Sequence, residues 1–132
     1  MPFVDASFFV ALMDARDLWH EAARRAAPRL MRKSPWRTHT LALGEVIAVI
    51  GSRAGGRAAR DAYDAIRDTT DVWAPTVAEL DAAMPLVVRF DGSLSLSDAL
   101  FVHAMEGEPH ATILSFDDDF DKAGVRRLPS PT

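Results

Sequence analysis

The chain has 132 residues, 48% of them hydrophobic and 26% charged, with a formal net charge of −4 and no cysteine. That length suits one domain with a real core, and the composition is globular rather than fibrous or disordered. The missing cysteines exclude a disulfide framework, a thiol nucleophile and a thiolate metal site, so any metal must be held by oxygen or imidazole. The apolar runs fall well short of the roughly 18 residues needed to cross a bilayer, and no signal-like opening precedes them, so a cytoplasmic protein without a membrane role is expected. Charge is unevenly spread: Arg16, Arg24, Arg25, Arg29, Arg32, Lys33 and Arg37 face only Asp17 and Glu21 in the same stretch, and the acids concentrate later.

Pro2-Phe3-Val4 reads as a short buried parallel strand ending at Asp5, and Ala6 to Met13 as a helix with Phe9, Leu12 and Met13 on one side. Helical composition resumes from Leu18 to Ala27, where Pro28 is expected to end or kink it; a strand is expected over Trp36 to Thr38. Leu43, Val46, Ile47 and Ile50 recur at helical spacing between Thr40 and Arg53, and Gly55-Gly56 closes that amphipathic helix. A more polar helix follows over Arg57 to Arg67, then a strand at Val72 to Ala74 and a helix capped by Thr76 that Pro85 is expected to kink or split. Ser95-Leu96-Ser97-Asp98 announces a helix running to Glu106, and Ala111 to Phe116 is an apolar run of strand length that delivers Asp117. Strands alternating with helices predict an α/β sandwich around a mostly parallel sheet, with one domain over residues 1–128 and a flexible tail over 129–132.

In such a sheet ligands bind beyond the carboxyl ends of the strands, where Asp5 and Asp117 fall. Glu45 interrupts an otherwise apolar helical stretch and Asp98 is followed directly by Ala99, Leu100, Phe101 and Val102, positions where an ionised carboxylate is costly without a cation or hydrogen-bond donors. Several acids converging on one point repel and raise one another's pKa unless a cation neutralises them, and hard oxygen ligands favour Mg²⁺ or Mn²⁺. Open carboxylate sites of this kind suit phosphoryl chemistry. The plainer alternative stands beside this one: Asp5, Asp98 and Asp117 all sit where an aspartate caps a helix without any catalytic duty, and Glu45 can reach solvent from the edge of its stripe.

Four segments together resemble the PIN-domain nucleases, and within them the VapC-type toxins of bacterial toxin–antitoxin pairs. They are Phe3-Val4-Asp5-Ala6-Ser7, Leu43-Gly44-Glu45-Val46, Ser97-Asp98-Ala99-Leu100 and Ile113-Leu114-Ser115-Phe116-Asp117-Asp118-Asp119-Phe120. The resemblance spans nearly the whole chain. It implies a PIN-like three-layer α/β/α sandwich and a metal-dependent ribonuclease in which Asp5, Glu45, Asp98 and Asp117 hold one or two divalent cations, Mg²⁺ or Mn²⁺, with Ser7 and Ser115 orienting the ligands. Three successive aspartates leave open whether Asp119 supplies or assists the fourth ligand; Asp118 fits the motif least, and Asp121 reads as solvated surface. The resemblance also implies an RNA substrate, a homodimer and a small VapB-like antitoxin that covers the active-site groove. A housekeeping PIN nuclease for RNA processing and a catalytically silent binding domain are the alternatives.

Outside these motifs, Arg24, Arg25, Arg29 and Arg32 are the local candidates for holding an RNA backbone, against the reading of a solvated helix face. His20, His39, His103 and His110 share no ligand spacing and read as structural or surface groups. Trp19, Trp36 and Trp73 can stack bases, but in so small a chain they read as core.

Overall fold

The computed structural model describes residues 1–32 and 34–129. Five parallel strands form one sheet in the order β3-β2-β1-β4-β5: β1 (Phe3–Val4), β2 (Trp36–His39), β3 (Thr70–Trp73), β4 (Thr112–Leu114) and β5 (Arg126–Leu128). Helices α1 (Ala6–Met13), α2 (His20–Met31), α3 (Thr40–Ala54), α4 (Gly56–Thr69), α5 (Val77–Arg89), α6 (Leu96–Glu106) and α7 (Asp119–Lys122) complete the chain. The sheet is wholly parallel, so the carboxyl ends of all five strands share one edge. From β1 the chain winds outward through β2 and β3, then crosses to β4 on the other side of β1. The β1/β4 boundary is therefore the point where strand order reverses, and a crevice opens there.

Alternation along the strands sends neighbouring residues into two separate cores, as a pleated sheet requires. Val4 and Leu114 pack with Phe8, Phe9, Trp36, Val46 and Ile66 under α1 to α4, while Phe3 and Ile113 pack with Leu86, Leu100, Phe101 and Phe120 under α5 and α6. The sandwich is thus three layers deep. Among the described residues no helix is long and apolar enough to cross a membrane.

Two prolines lie within helices that continue past them. Pro28 lies inside α2 and Pro85 inside α5, and neither ends or splits its helix. Pro28 and Arg24, whose carbonyl loses its amide partner, are both exposed, so water serves the carbonyl that the missing N–H would have served. The α3 stop holds: Gly55 caps it at φ 91°, a left-handed conformation open to glycine. The expected strand over Ala111 to Phe116 contracts to three residues, and α7 and β5 are elements without a strong sequence signal. Of the tail expected at 129–132, residues 130–132 lie outside the described residues.

Phe101 is fully buried and meets Phe3, Trp73 and Phe120 edge-on. Phe101→Ala is expected to lower unfolding free energy by about 3–5 kcal/mol, the range for emptying a large aromatic site. Val88→Ala, at a position 74% exposed, should change it by less than about 0.5 kcal/mol. Urea denaturation of both variants checks the contrast.

Candidate active site

Asp5 follows the last residue of β1 and caps α1, its backbone N–H still donating to the Leu114 carbonyl of β4 at 3.0 Å. The carboxylate is 4% exposed. Its Oδ2 accepts from the Ser7 hydroxyl at 2.8 Å and the Ser115 hydroxyl at 2.9 Å, and the two hydroxyls lie 3.1 Å apart. Ser7 comes from the first turn of α1 and Ser115 from the end of β4, so the clamp bridges the crevice. The hydroxyl oxygens are used in turn: Ser7 Oγ accepts the Phe116 N–H at 3.0 Å and Ser115 Oγ the Asp117 N–H at 2.9 Å. Burial pushes the Asp5 pKa above its ordinary value despite these donors.

The other acids arrive from three more segments. Asp98 is 7% exposed and stands third in α6, closing a capping box: Ser95 Oγ accepts the Asp98 N–H at 3.1 Å, and Asp98 Oδ2 accepts the Ser95 N–H at 3.3 Å. Burial first, then the charge of Asp5, pushes its pKa up to about 7. Asp117 lies two residues beyond Ser115 rather than at the strand end itself; its Oδ1 accepts the Asp119 N–H at 2.9 Å, and burial chiefly, with Asp119 and Asp5, raises its pKa. Glu45 is not buried as the sequence suggested but lies on the exposed side of α3; partial desolvation and the Asp5 charge still raise its pKa, opposed by Ser97. The Ser97 hydroxyl is buried without a hydrogen-bond partner. Asp5 is thus the common neighbour whose charge raises the pKa of Glu45, Asp98 and Asp117.

The capping alternative also holds, since Asp5 and Asp98 do satisfy helix termini. It does not account for the coupling, because caps on separate helices need not share a crevice. The tightest acidic group among the described residues is a different one, Asp117, Asp118 and Asp119, whose ligand atoms lie within 4.8 Å of one another. Asp118 is exposed, and Asp119 is bonded to Lys122 Nζ at 2.8 Å, which lowers its pKa. Asp117 alone of the three belongs both to that group and to the Asp5 cluster. Asp5, Glu45, Asp98 and Asp117 carry hard oxygen donors, the chemistry that Mg²⁺ or Mn²⁺ takes, while the group whose ligand atoms lie within 4.8 Å of one another among the described residues is Asp117, Asp118 and Asp119.

Two positioning residues, His39 and Arg127, lay outside the sequence motifs. His39 caps α3: its Nδ1 accepts the Ala42 N–H at 3.2 Å, so Nε2 carries the proton and donates to the Ser97 carbonyl at 3.0 Å. One buried imidazole therefore joins the start of the Glu45 helix to the start of the Asp98 helix, and burial lowers its pKa to about 4, keeping it neutral. Arg127 of β5 donates to the Ser115 carbonyl at 3.2 Å and holds Asp121 bidentately at 3.0 and 2.9 Å, so Asp121 is paired rather than simply solvated. Trp36 is core and Trp73 packs against the second core, whereas Trp19 is 48% exposed and lines a cleft of about 360 Å³ with Ser7, Glu45 and Asp117. A larger cavity of about 480 Å³ opens among Pro2, Leu30, Arg37 and Glu108, towards the amino ends of the strands, and contains none of the clustered acids.

The sequence matches the PIN domain family over residues 3–125. The fold is similar to the crystal structure of Mycobacterium tuberculosis VapC20, a sarcin–ricin loop cleaving toxin, with 32% identity and a TM-score of 0.80 over 95% of this chain and 96% of that one. No curated protein sequence matches the chain.

Asp98 carries a pH prediction. Its folded pKa is raised, so between the ordinary carboxylate value and about pH 7 the folded state binds more protons than the unfolded one, and metal-free stability falls as pH rises through that window. Asp98→Asn removes this dependence while keeping the cap. In EDTA, the Tm of the variant should gain on wild type steadily from pH 4.5 to 7.5; a constant difference across that range would contradict the raised pKa.

Proposed function

The chain belongs to the PIN-domain family, and from that premise we propose that it is a divalent-metal-dependent endoribonuclease, the toxin of a toxin–antitoxin pair that inhibits growth when free. The observation that carries this reading is the clamp on Asp5: serine hydroxyls from α1 and the end of β4 hold its carboxylate at the β1/β4 crevice, and Ser7 also lines a cleft with Glu45 and Asp117. The catalytic unit is residues 1–128, and Asp5, Glu45, Asp98 and Asp117 are its metal-binding set, with Asp119 an auxiliary group restrained by Lys122. Divalent cations held there supply charge neutralisation at the scissile phosphate and lower the pKa of an attacking water.

The chain's own residues do the rest. Ser7 and Ser115 occupy one oxygen of Asp5 and fix the direction of the other. Exposed Glu45 stands at the solvent edge, where an incoming phosphodiester meets the cluster. Arg24, Arg25 and Arg29 on α2 and Arg32 just past its end are exposed; α2 starts beside the cleft at Trp19, and these arginines hold the RNA backbone. A homodimer is supported by Val77, Met84 and Val88, 71, 42 and 74% exposed along one side of α5. The partner is a VapB-like antitoxin that brings a basic side chain to the carboxylates, and the substrate is a looped RNA, the class that VapC20 cleaves in the sarcin–ricin loop.

Cleavage of a hairpin carrying the sarcin–ricin loop, with Mg²⁺ or Mn²⁺ and with EDTA, tests the reading. Asp5→Asn should lower activity at least about 100-fold without unfolding the protein, whereas undiminished cleavage in EDTA would refute metal dependence. Mn²⁺ should raise the wild-type Tm and leave that of Asp5→Asn nearly unchanged. In calorimetric titration the loss of metal affinity should rank Asp117→Asn above Asp119→Asn above Asp118→Asn; a reversed order would move the fourth ligand away from Asp117.

A further inference from the structure

We infer that Trp19 forms a stacking platform for one unpaired nucleobase of the bound RNA, beside the phosphate that the acids engage; this rests on the ribonuclease reading above. Phe8, Phe116 and Trp19 form a three-ring parallel stack, with centroids 5.5 and 5.3 Å apart and interplanar angles of 4° at both steps. It begins in the core, since Phe8 is fully buried, and ends at Trp19. The indole lies parallel to Phe116 in an offset stack, and Trp19 as a whole is 48% exposed. A stack that ends on an open ring is built to take one more.

The exposure is not that of a loose loop. Arg53 donates to Asp14 at 3.1 Å and to Asp17 at 3.0 Å, Asp14 Oδ1 accepts the Arg16 N–H at 3.0 Å, and Asp17 Oδ2 accepts the N–H of Trp19 itself at 3.0 Å. Behind Trp19, His20 Nδ1 bonds the Ala11 carbonyl of α1 at 2.7 Å. The 14–20 turn is therefore braced from α3 and α1, and it holds an indole in water where burial would stabilise it.

The cleft beside the indole explains the choice of ligand. Its volume, about 360 Å³, is within the range of small-molecule sites, and Val10 and Val49 give it apolar walls. Ser7, Glu45 and Asp117 form the side shared with the acid cluster. Those acids admit a phosphate only with cations between, and Arg53 is already engaged by two aspartates. The uncharged, flat part of a nucleotide is what the aromatic side can accept. Because every base has a π-face, the platform favours unpaired over paired nucleotides more than one base over another.

The test uses a fluorescein-labelled single-stranded RNA octamer and copies with one abasic nucleotide at each position in turn. Trp19→Ala is expected to raise KM for cleavage about tenfold with a smaller change in kcat, and Trp19→Phe to stay within about twofold of wild type. At one position flanking the cut, the abasic copy should reduce wild type to the level of Trp19→Ala and cost that variant nothing further. Equal loss in Trp19→Phe and Trp19→Ala, or no position that equalises them, would overturn the proposal. So would unchanged RNA kinetics in Trp19→Ala with weakened binding of a protein partner, which would make the surface a protein-docking site. Anisotropy of the labelled octamer in Ca²⁺ separates the two readings: wild type that binds about tenfold tighter than Trp19→Ala but cuts nothing with Mg²⁺ or Mn²⁺ keeps the platform and removes the nuclease.

Discussion

The clamp of two serine hydroxyls on one oxygen of Asp5 is the interaction on which the rest of the site depends. A buried carboxylate without donors would be expelled to solvent or protonated. Bonds of 2.8 and 2.9 Å keep it inside and fix its orientation. The same two hydroxyls accept the N–H groups of Phe116 and Asp117, so the path of the β4–α7 loop is set by the same atoms that aim Asp5. Two acids distant in sequence are thereby positioned by a single small network, and loss of either serine reaches both.

A second tie works from the far side. His39 spans the starts of α3 and α6 with one neutral ring, accepting at Nδ1 and donating at Nε2. Its contact with the Phe101 ring, with centroids 4.2 Å apart, anchors it in the second core. The acid cluster is therefore supported from both hydrophobic layers: Asp5 follows Val4 of the first, and Asp98 is held through His39 against the second.

Most of the architecture was legible because it is written in strong local chemistry. Thr76 and Ser95 each begin capping boxes, the Leu43, Val46 and Ile50 stripe is buried on α3, and Gly55 stops that helix. Asp5 was legible as a strand-end residue, Asp98 as a helix-start residue, and Glu45 as the one acid inside an apolar helical stretch. What was not legible is tertiary. Pro28 is harmless because the carbonyl it orphans faces water, a property of the face and not of the residue. Asp117 stands past the end of β4 because Phe116 leaves the strand to enter the ring stack between Phe8 and Trp19. His39 carries no ligand spacing because its partners are a backbone amide and a backbone carbonyl. Arg127 belongs to a three-residue edge strand whose sequence, Arg126-Arg127-Leu128, has little strand character.

The first strand is only two residues long, and its backbone bonds alone would hold its position weakly. Phe3 and Val4 fix it instead, each committed to a different core. Their opposite facing works as a vernier for Asp5: inserting or deleting one residue between Pro2 and Asp5 would exchange the two cores' occupants and turn the carboxylate to the wrong side of the sheet. The first strand is therefore a length-critical support of the candidate site, intolerant of a single-residue slip although Phe3 and Val4 are themselves buried in the two cores.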